Sequence, residues 1–355
     1  MRATIYGNCI GDAIGLLSEF MSKEMAHEEY GKKAGKMEYK HKLEDVHRLR
    51  WKNGDWTDDS DQMILIMDSI VDCGGEVDPV DYAKKLRFWV ENGFPELGDA
   101  GGIGLGQTTH RVVRCTNFTT DPFASSSAIW ERSNRHAAPN GAVMRTSVVG
   151  THRYQSLEAV KKNAMDFCKV THFSPKCQAS TIAVSTAVAL MLQRPERLIK
   201  KSGAYDVQKL IGEAYDQAKT VFEGDDESRQ AEQEELHKVL FCKNIDEHEL
   251  ADDPKIGYTY KTLGAGFWAL QQTDFRKALE TIILEGGDAD TNGAVAGALL
   301  GCKLGLKGLP RSWLKDLVHK EWLDKKIERY FNVINGSNVK ESSLVEEGAT
   351  GPAEQ

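Results

Sequence analysis

Residues 58–71 read Asp-Asp-Ser-Asp-Gln-Met-Ile-Leu-Ile-Met-Asp-Ser-Ile-Val. Met63, Ile64, Ile66, Met67, Ile70 and Val71 recur every three or four positions, the repeat of one helix face. Thr57 precedes the run as a natural N-cap, and acids in a first helical turn suit the helix dipole. Capping accounts for one of these acids. Adjacent carboxylates behind a hydroxyl exceed what a cap needs and offer hard oxygen ligands of the kind that suit Mg²⁺, Mn²⁺ or Ca²⁺ rather than zinc.

The same periodicity returns elsewhere. Leu157, Val160, Ala164, Phe167 and Cys168 form a second stripe, residues 177–192 read as a buried helix, and residues 263–270 and 275–284 give two more. Clean period-2 alternation and a strand–helix–strand rhythm are both missing. The fold class is therefore all-α, a single orthogonally packed multi-helix bundle. One domain spans residues 1–334, and the polar tail 335–355 is expected to fray. Residues 223–235, rich in Asp and Glu, read as a solvated loop or charged helix face.

The chain has 355 residues, 45 Lys and Arg against 53 Asp and Glu, and a net charge of −8. That balance, with no Lys/Arg run, argues against duplex nucleic acid as a partner. No apolar stretch is long enough to span a membrane, and no cleavable signal opens the chain. Seven cysteines stand apart, odd in number and without a C-x-x-C pair, as in a reducing, intracellular compartment. The expectation is a cytoplasmic monomer, the nucleus being a second possible location.

Glycines fall every fourth residue at both ends: Gly7, Gly11 and Gly15, then Gly293, Gly297, Gly301 and Gly305. Each costs a helix about 1 kcal/mol relative to alanine. Such a stripe makes sense where two helix backbones touch. Tight core packing explains it alone, and a sharper reading has the two helices packing together and bringing their polar ends to one site.

Two further acidic clusters join residues 57–61. Gly286-Gly287-Asp288-Ala289-Asp290-Thr291-Asn292-Gly293 opens like an EF-hand loop, but Leu299 stands where a bidentate Glu is required. What remains is two acids and a hydroxyl at a helix start. Asp12 and Glu19, seven apart, lie on one face of an otherwise apolar first helix, where a buried acid needs a partner. If the clusters meet, the carboxylates repel unless cations neutralise them, and two divalent ions would do so. The loop Gly101-x4-Gly106-Gln107-Thr108 falls one residue from a P-loop, with Gln107 in place of the Lys, so triphosphate hydrolysis is rejected. A loop near a ligand remains, with Gly102 and Gly104 as candidate contacts.

Taken in order, Gly11-Asp12-Ala13-Ile14-Gly15 with Glu19, Trp56-Thr57-Asp58-Asp59-Ser60, Asn140-Gly141-Ala142-Val143-Met144-Arg145, Thr171-His172 and Gly286-Gly287-Asp288-Ala289-Asp290-Thr291 resemble the ADP-ribosylglycohydrolase family. The ordered set covers nearly the whole chain. The resemblance implies an all-α domain with a binuclear Mg²⁺ or Mn²⁺ centre in a cleft. It implies Thr57, Asp58, Asp59, Asp288, Asp290 and Thr291 as metal ligands. Glu19 would sit beside the metals and control access, and Glu19 and Asp59 are the candidates for proton transfer. The loop Arg135 to Gly141 would wrap the ADP-ribose pyrophosphate, giving His136, Ala137, Ala138, Asn140 and Gly141 as substrate contacts. His172 would face the distal ribose, although its place at a helix C-terminus also admits a structural cation. Arg135-His136-Ala137-Ala138-Pro139 lacks the aromatic and serine of some relatives. The implied activity is hydrolysis of the C1″ glycosidic bond of ADP-ribosylated substrates. The alternatives are a catalytically weak ADP-ribose-binding module and a metal-dependent nucleotide phosphoesterase.

Overall fold

The computed structural model describes residues 1–347, with side chains described through residue 336. Among these residues there are fifteen α-helices, short 3-10 turns and no strand, only two isolated bridges. The first third of the chain holds α1 (Arg2–Gly15), α2 (Lys23–Tyr30), α3 (Asp58–Asp72), α4 (Pro79–Asn92) and α5 (Gln107–Val113). The middle holds α6 (Pro122–Arg132), α7 (Leu157–Lys169), α8 (Pro175–Gln193), α9 (Val207–Ala218) and α10 (Asp226–Phe241). The last third holds α11 (Thr259–Leu270), α12 (Phe275–Glu285), α13 (Ala289–Leu304), α14 (Arg311–Lys315) and α15 (Lys320–Glu347). None is long and apolar enough to cross a membrane among the described residues.

The two glycine stripes meet. A Cβ built on Gly7 would stand 2.1 Å from the Gly297 carbonyl oxygen, one on Gly11 1.9 Å from that of Gly293, and one on Gly15 2.2 Å from that of Ala289. Only glycine allows backbones this close. The contact packs α1 antiparallel to α13, the end of one beside the start of the other, and so sets Asp12 and Glu19 beside Asp288 and Asp290. Gly305 is no part of the stripe: α13 stops at Leu304, and Gly305 caps it with φ +72°.

Other boundaries follow local chemistry. Asp78, Asp121, Ser156, Asp225 and Asp274 accept backbone N–H groups at the starts of α4, α6, α7, α10 and α12. α8, buried almost throughout, fills the centre between α7 and α9. The acidic stretch 223–235 enters α10, which buries Leu236 and Leu240 and leaves most of its acids outward. α15 passes the boundary placed at residue 334 and runs to Glu347, while residues 348–355 lie outside the described residues. The seven cysteines are free.

Candidate active site

α3 starts at Thr57, whose hydroxyl caps it by accepting from the Asp59 N–H. α13 starts at Asp288, after Gly286 and Gly287 with φ of +70° and +72°. These two starts and the end of α1 converge on a cleft of about 470 Å³. Its walls include Glu19, Asp58, Asp59, Asp288, Asp290 and Thr291.

The carboxylates fall into two trios. Oxygens of Asp12, Asp59 and Asp290 lie within 4.8 Å of one another, as do oxygens of Glu19, Asp288 and Asp290. Asp290 belongs to both. The nearest partners of most of these acids carry no positive charge. Asp12 accepts from the N–H and hydroxyl of Thr57 (3.0 and 2.9 Å) and of Ser60 (3.0 and 2.6 Å). Asp58 accepts from Gln62 at 2.7 Å, Asp288 from Asn140 at 2.7 Å, and Asp290 from the N–H of Thr291 at 2.8 Å.

Burial pushes Asp12, Asp58, Asp59 and Asp290 toward the neutral form, aided at the last three by the repulsion of neighbouring carboxylates. Asp58 rises to about 8, from burial first and then the charges of Asp12, Glu19 and Asp288. Asp59 and Asp290 are held well above the usual carboxylate range for the same reasons. Asp12 rises to about 7 from burial, although its four hydrogen bonds pull the other way. Those bonds occupy both its oxygens, so Asp12 braces the start of α3 rather than offering lone pairs. One oxygen of Asp59, by contrast, is buried without any partner. Hard oxygens, crowded anionic charge and an unpartnered carboxylate oxygen fit a divalent cation.

Glu19 does not lie on the first helix. α1 ends at Gly15, and Glu19 sits in the turn beyond it, before Phe20 at φ +63°. Segment 45–51 braces that turn. Arg48, buried to 5 % exposure, donates from Nε to the carbonyls of Leu16 and Leu17 (2.9 and 3.1 Å) and from Nη2 to that of Glu19. His47 meets the Glu19 carboxylate through Nε2, and Arg50 meets His47 Nδ1. A guanidinium only donates, so Nδ1 is the acceptor and Nε2 carries the proton given to Glu19.

The opposite wall is Ala137, Ala138, Asn140, Gly141 and His172, joined by residues 254–258. Asn140 N donates to Gly257 O at 3.0 Å and Thr259 N to Ala138 O at 2.9 Å, clamping the two loops together. His172 is neutral: burial and then Arg145 push it down to about 3, so the reading as a helix-end cation fails. Its Nδ1 lies 2.7 Å from the Thr171 hydroxyl, which accepts from Arg145 Nη2 at 2.6 Å. Arg145 Nη1 donates to Gln62 Oε1 at 2.6 Å, and Gln62 reaches Asp58. One buried guanidinium thus ties the two walls together.

Several expected contacts lie elsewhere. Gly102 is not on the cleft wall; its N–H bonds the Trp89 carbonyl and it packs on the Trp89 ring, where a Cβ would stand 2.7 Å from ring carbon. His136 is exposed and not part of the cleft wall, its N–H on Ser133 O. Thr57 is spent on Asp12 and Asp59. Gly104 does line the cleft, with φ +97° beside Asp58 Oδ1. Asp99 caps the turn at Phe94 N, 2.9 Å away. Sequence reasoning missed His47, Arg48 and residues 254–258, which carry no motif. Gln62, four residues beyond Asp58, was findable from helical spacing.

The family profile for ADP-ribosylglycohydrolases matches residues 1–339. The chain belongs to the ADP-ribosylglycohydrolase family. This glycohydrolase is accordingly a hydrolase of glycosyl bonds acting on ADP-ribosylated substrates, and neither the inert binding module nor the phosphoesterase is favoured. It is 25% identical over 334 residues to an uncharacterised protein of Archaeoglobus fulgidus, covering 91% of this chain and 93% of the relative. It is 22% identical to the ADP-ribosylarginine hydrolase Tri1 of Serratia proteamaculans, covering 93% of this chain and 78% of the relative. It is 24% identical to the ADP-ribosyl-[dinitrogen reductase] glycohydrolase of Rhodospirillum rubrum, covering 91% and 90%. A solved ADP-ribosylglycohydrolase-related protein complex shares the fold at a TM-score of 0.65 and 22% identity, over 94% of this chain and 96% of that one.

Proposed function

We propose that the glycohydrolase removes ADP-ribose from protein side chains, with arginine the first linkage to test, and that two divalent cations, Mg²⁺ or Mn²⁺, sit on either side of Asp290. The observation that carries this reading is Asp290, shared by both trios, with the unpartnered Asp59 oxygen beside it. The relatives named for ADP-ribosylarginine and for dinitrogen reductase point to protein acceptors.

Asp59, Asp288 and Asp290 would hold the cations, with Asp58 and Thr291 completing the set. Bound there, the cations supply Lewis-acid charge to the distal ribose hydroxyls and cancel the repulsion between carboxylates. Loop 137–141 lies along the nucleotide, and the Nε2 of His172 faces it from behind Gly141. The sugar is thereby fixed for in-line attack. Cleavage of the C1″–N bond builds oxocarbenium character at C1″. Glu19, oriented by His47, takes a proton from the attacking water, with Asp59 the second candidate. Water oxygen bonds C1″, the electrons of the broken bond go to the acceptor nitrogen, and that nitrogen gains a proton. Free cysteines suit a reducing compartment such as the cytoplasm.

The test is a panel of defined ADP-ribose linkages, to arginine, serine, O-acyl groups and nucleic-acid ends, with and without chelator. Mass spectrometry reads released ADP-ribose. Release from the arginine conjugate that chelator abolishes supports the reading; tight binding of ADP-ribose with no release from any linkage overturns it.

A further inference from the structure

A larger cavity, about 810 Å³, lies outside the cleft between α5 and α6. Its lining holds no Asp or Glu and no Phe, Tyr or Trp, but it includes His110, Arg111, Arg114 and Arg132. The three arginines are exposed and, among the described residues, form no ion pair. The acids nearest in sequence are engaged elsewhere: Asp121 caps α6, and Glu131 holds Arg135. In a chain of net charge −8, three unpaired guanidinium groups around one hollow are a local reversal of the prevailing field.

The hollow adjoins the cleft. Arg111, Ile129 and Ser133 also line a small cavity whose other walls include Thr108, Ala137, Pro139 and His172, all four of them cleft residues. α5 makes the connection: Gln107 lines the cleft, and Arg114 lies seven residues on, about 10 Å along a helix. An extended peptide covers that distance in about three residues.

We propose that this groove binds an acidic segment of the modified protein, two or three Asp or Glu beginning about three residues from the ADP-ribosylated side chain. Guanidinium forks match carboxylates in a bidentate manner. The floor, Ala124, Ala128, Ile129 and Cys115, suits the aliphatic stems of such side chains. A nucleic-acid strand is disfavoured because the hollow itself holds no Phe, Tyr or Trp for successive bases to stack on. The groove's role in catalysis rests on the proposed function; its binding of acidic peptide does not.

The experiment uses the full chain and a labelled, unmodified peptide carrying an arginine followed at the third residue by three glutamates, against the same peptide with glutamines. Fluorescence anisotropy is expected to show at least a tenfold preference for the acidic peptide, falling with salt. R111E/R114E should erase that preference, as should R111Q/R114Q, which guards against misfolding caused by charge reversal. With the same peptides ADP-ribosylated on arginine, the variants should raise KM for the acidic substrate alone and leave kcat unchanged. Equal binding of the two peptides, unaltered preference in both variants, or stronger binding of a single-stranded oligonucleotide overturns the proposal. Absence of ADP-ribose release would sink the proposed function while the anisotropy still decides the groove.

Discussion

His47 donates its Nε2 proton to the carboxylate of Glu19, and Arg50 fixes that tautomer from the other ring nitrogen. The Phe20 ring packs against the imidazole with centroids 4.9 Å apart. Glu19 has no helix to hold it, so its aim depends on this brace. Replacing His47 by Ala is expected to lower kcat by about tenfold to a hundredfold, the scale of a misplaced proton-transfer group, with KM little changed. H47Q, whose amide donates from a similar position, should recover most of the loss. Steady-state kinetics check both, and equal losses in the two variants would refute the donor role.

Asp290 joins both carboxylate trios, whereas Asp58 stands outside them. D290N should remove cation binding measured by calorimetry with Mn²⁺ and lower turnover by more than about 100-fold, beyond what loss of an outer partner costs. D58N/D290N should abolish both. A double variant with full activity would end the binuclear reading.

A side chain at residue 11 has nowhere to go. Its Cβ would overlap the Gly293 carbonyl, which is backbone and cannot swing aside. G11A is expected to destabilise by about 3 kcal/mol or more, at or beyond the upper end of ordinary overpacking. Gly212, with nothing near its Cβ position, gives the control. Urea denaturation of G11A and G212A should separate them clearly.

Stability in chelator should fall as pH rises from 6.5 to 8.5. Asp12 and Asp58 bind their protons more tightly folded (about 7 and 8) than unfolded (3.8), so from pH 4 upward they favour folding less as pH rises. His152, His172 and His248 do the reverse. Burial first lowers them to about 4, 3 and 4, below the unfolded 6.5, so stability is lost as pH falls below 6.5. Between pH 6.5 and 8.5 the raised carboxylates Asp12, Asp58, Asp59 and Asp290 outweigh Lys303, which burial lowers to about 8 and which acts the other way only at the top of that window, and Tm should drop. Added Mn²⁺ should raise Tm more at pH 8.5 than at 6.5, because protons compete with the cation. A flat Tm across that window would refute the carboxylate assignment.

Much of this was legible in the sequence. The stripe 63–71 marks α3, and the matched glycine spacing carries the contact of α1 with α13 only as the sharper of its two readings. The acids at both helix starts carry local signals, caps and Gly-Gly turns, that survive without tertiary context. Asp12 showed only as an acid wanting a partner, because its saturation by Thr57 and Ser60 needs a fold to be seen. His47 and Arg48 sit in irregular chain, where no period links them to Glu19. Gly102 and Gly104 look alike in a glycine-rich loop, yet one packs on Trp89 and the other faces Asp58, a difference set by backbone path alone.

Arg145 joins Thr171 and His172 on one wall to Gln62 and Asp58 on the other through a single buried cation. Any protein engineer who retunes one wall inherits a debt on the other, because substituting at 62 or 171 strands a charge with no route to water. These five positions are best redesigned as one block.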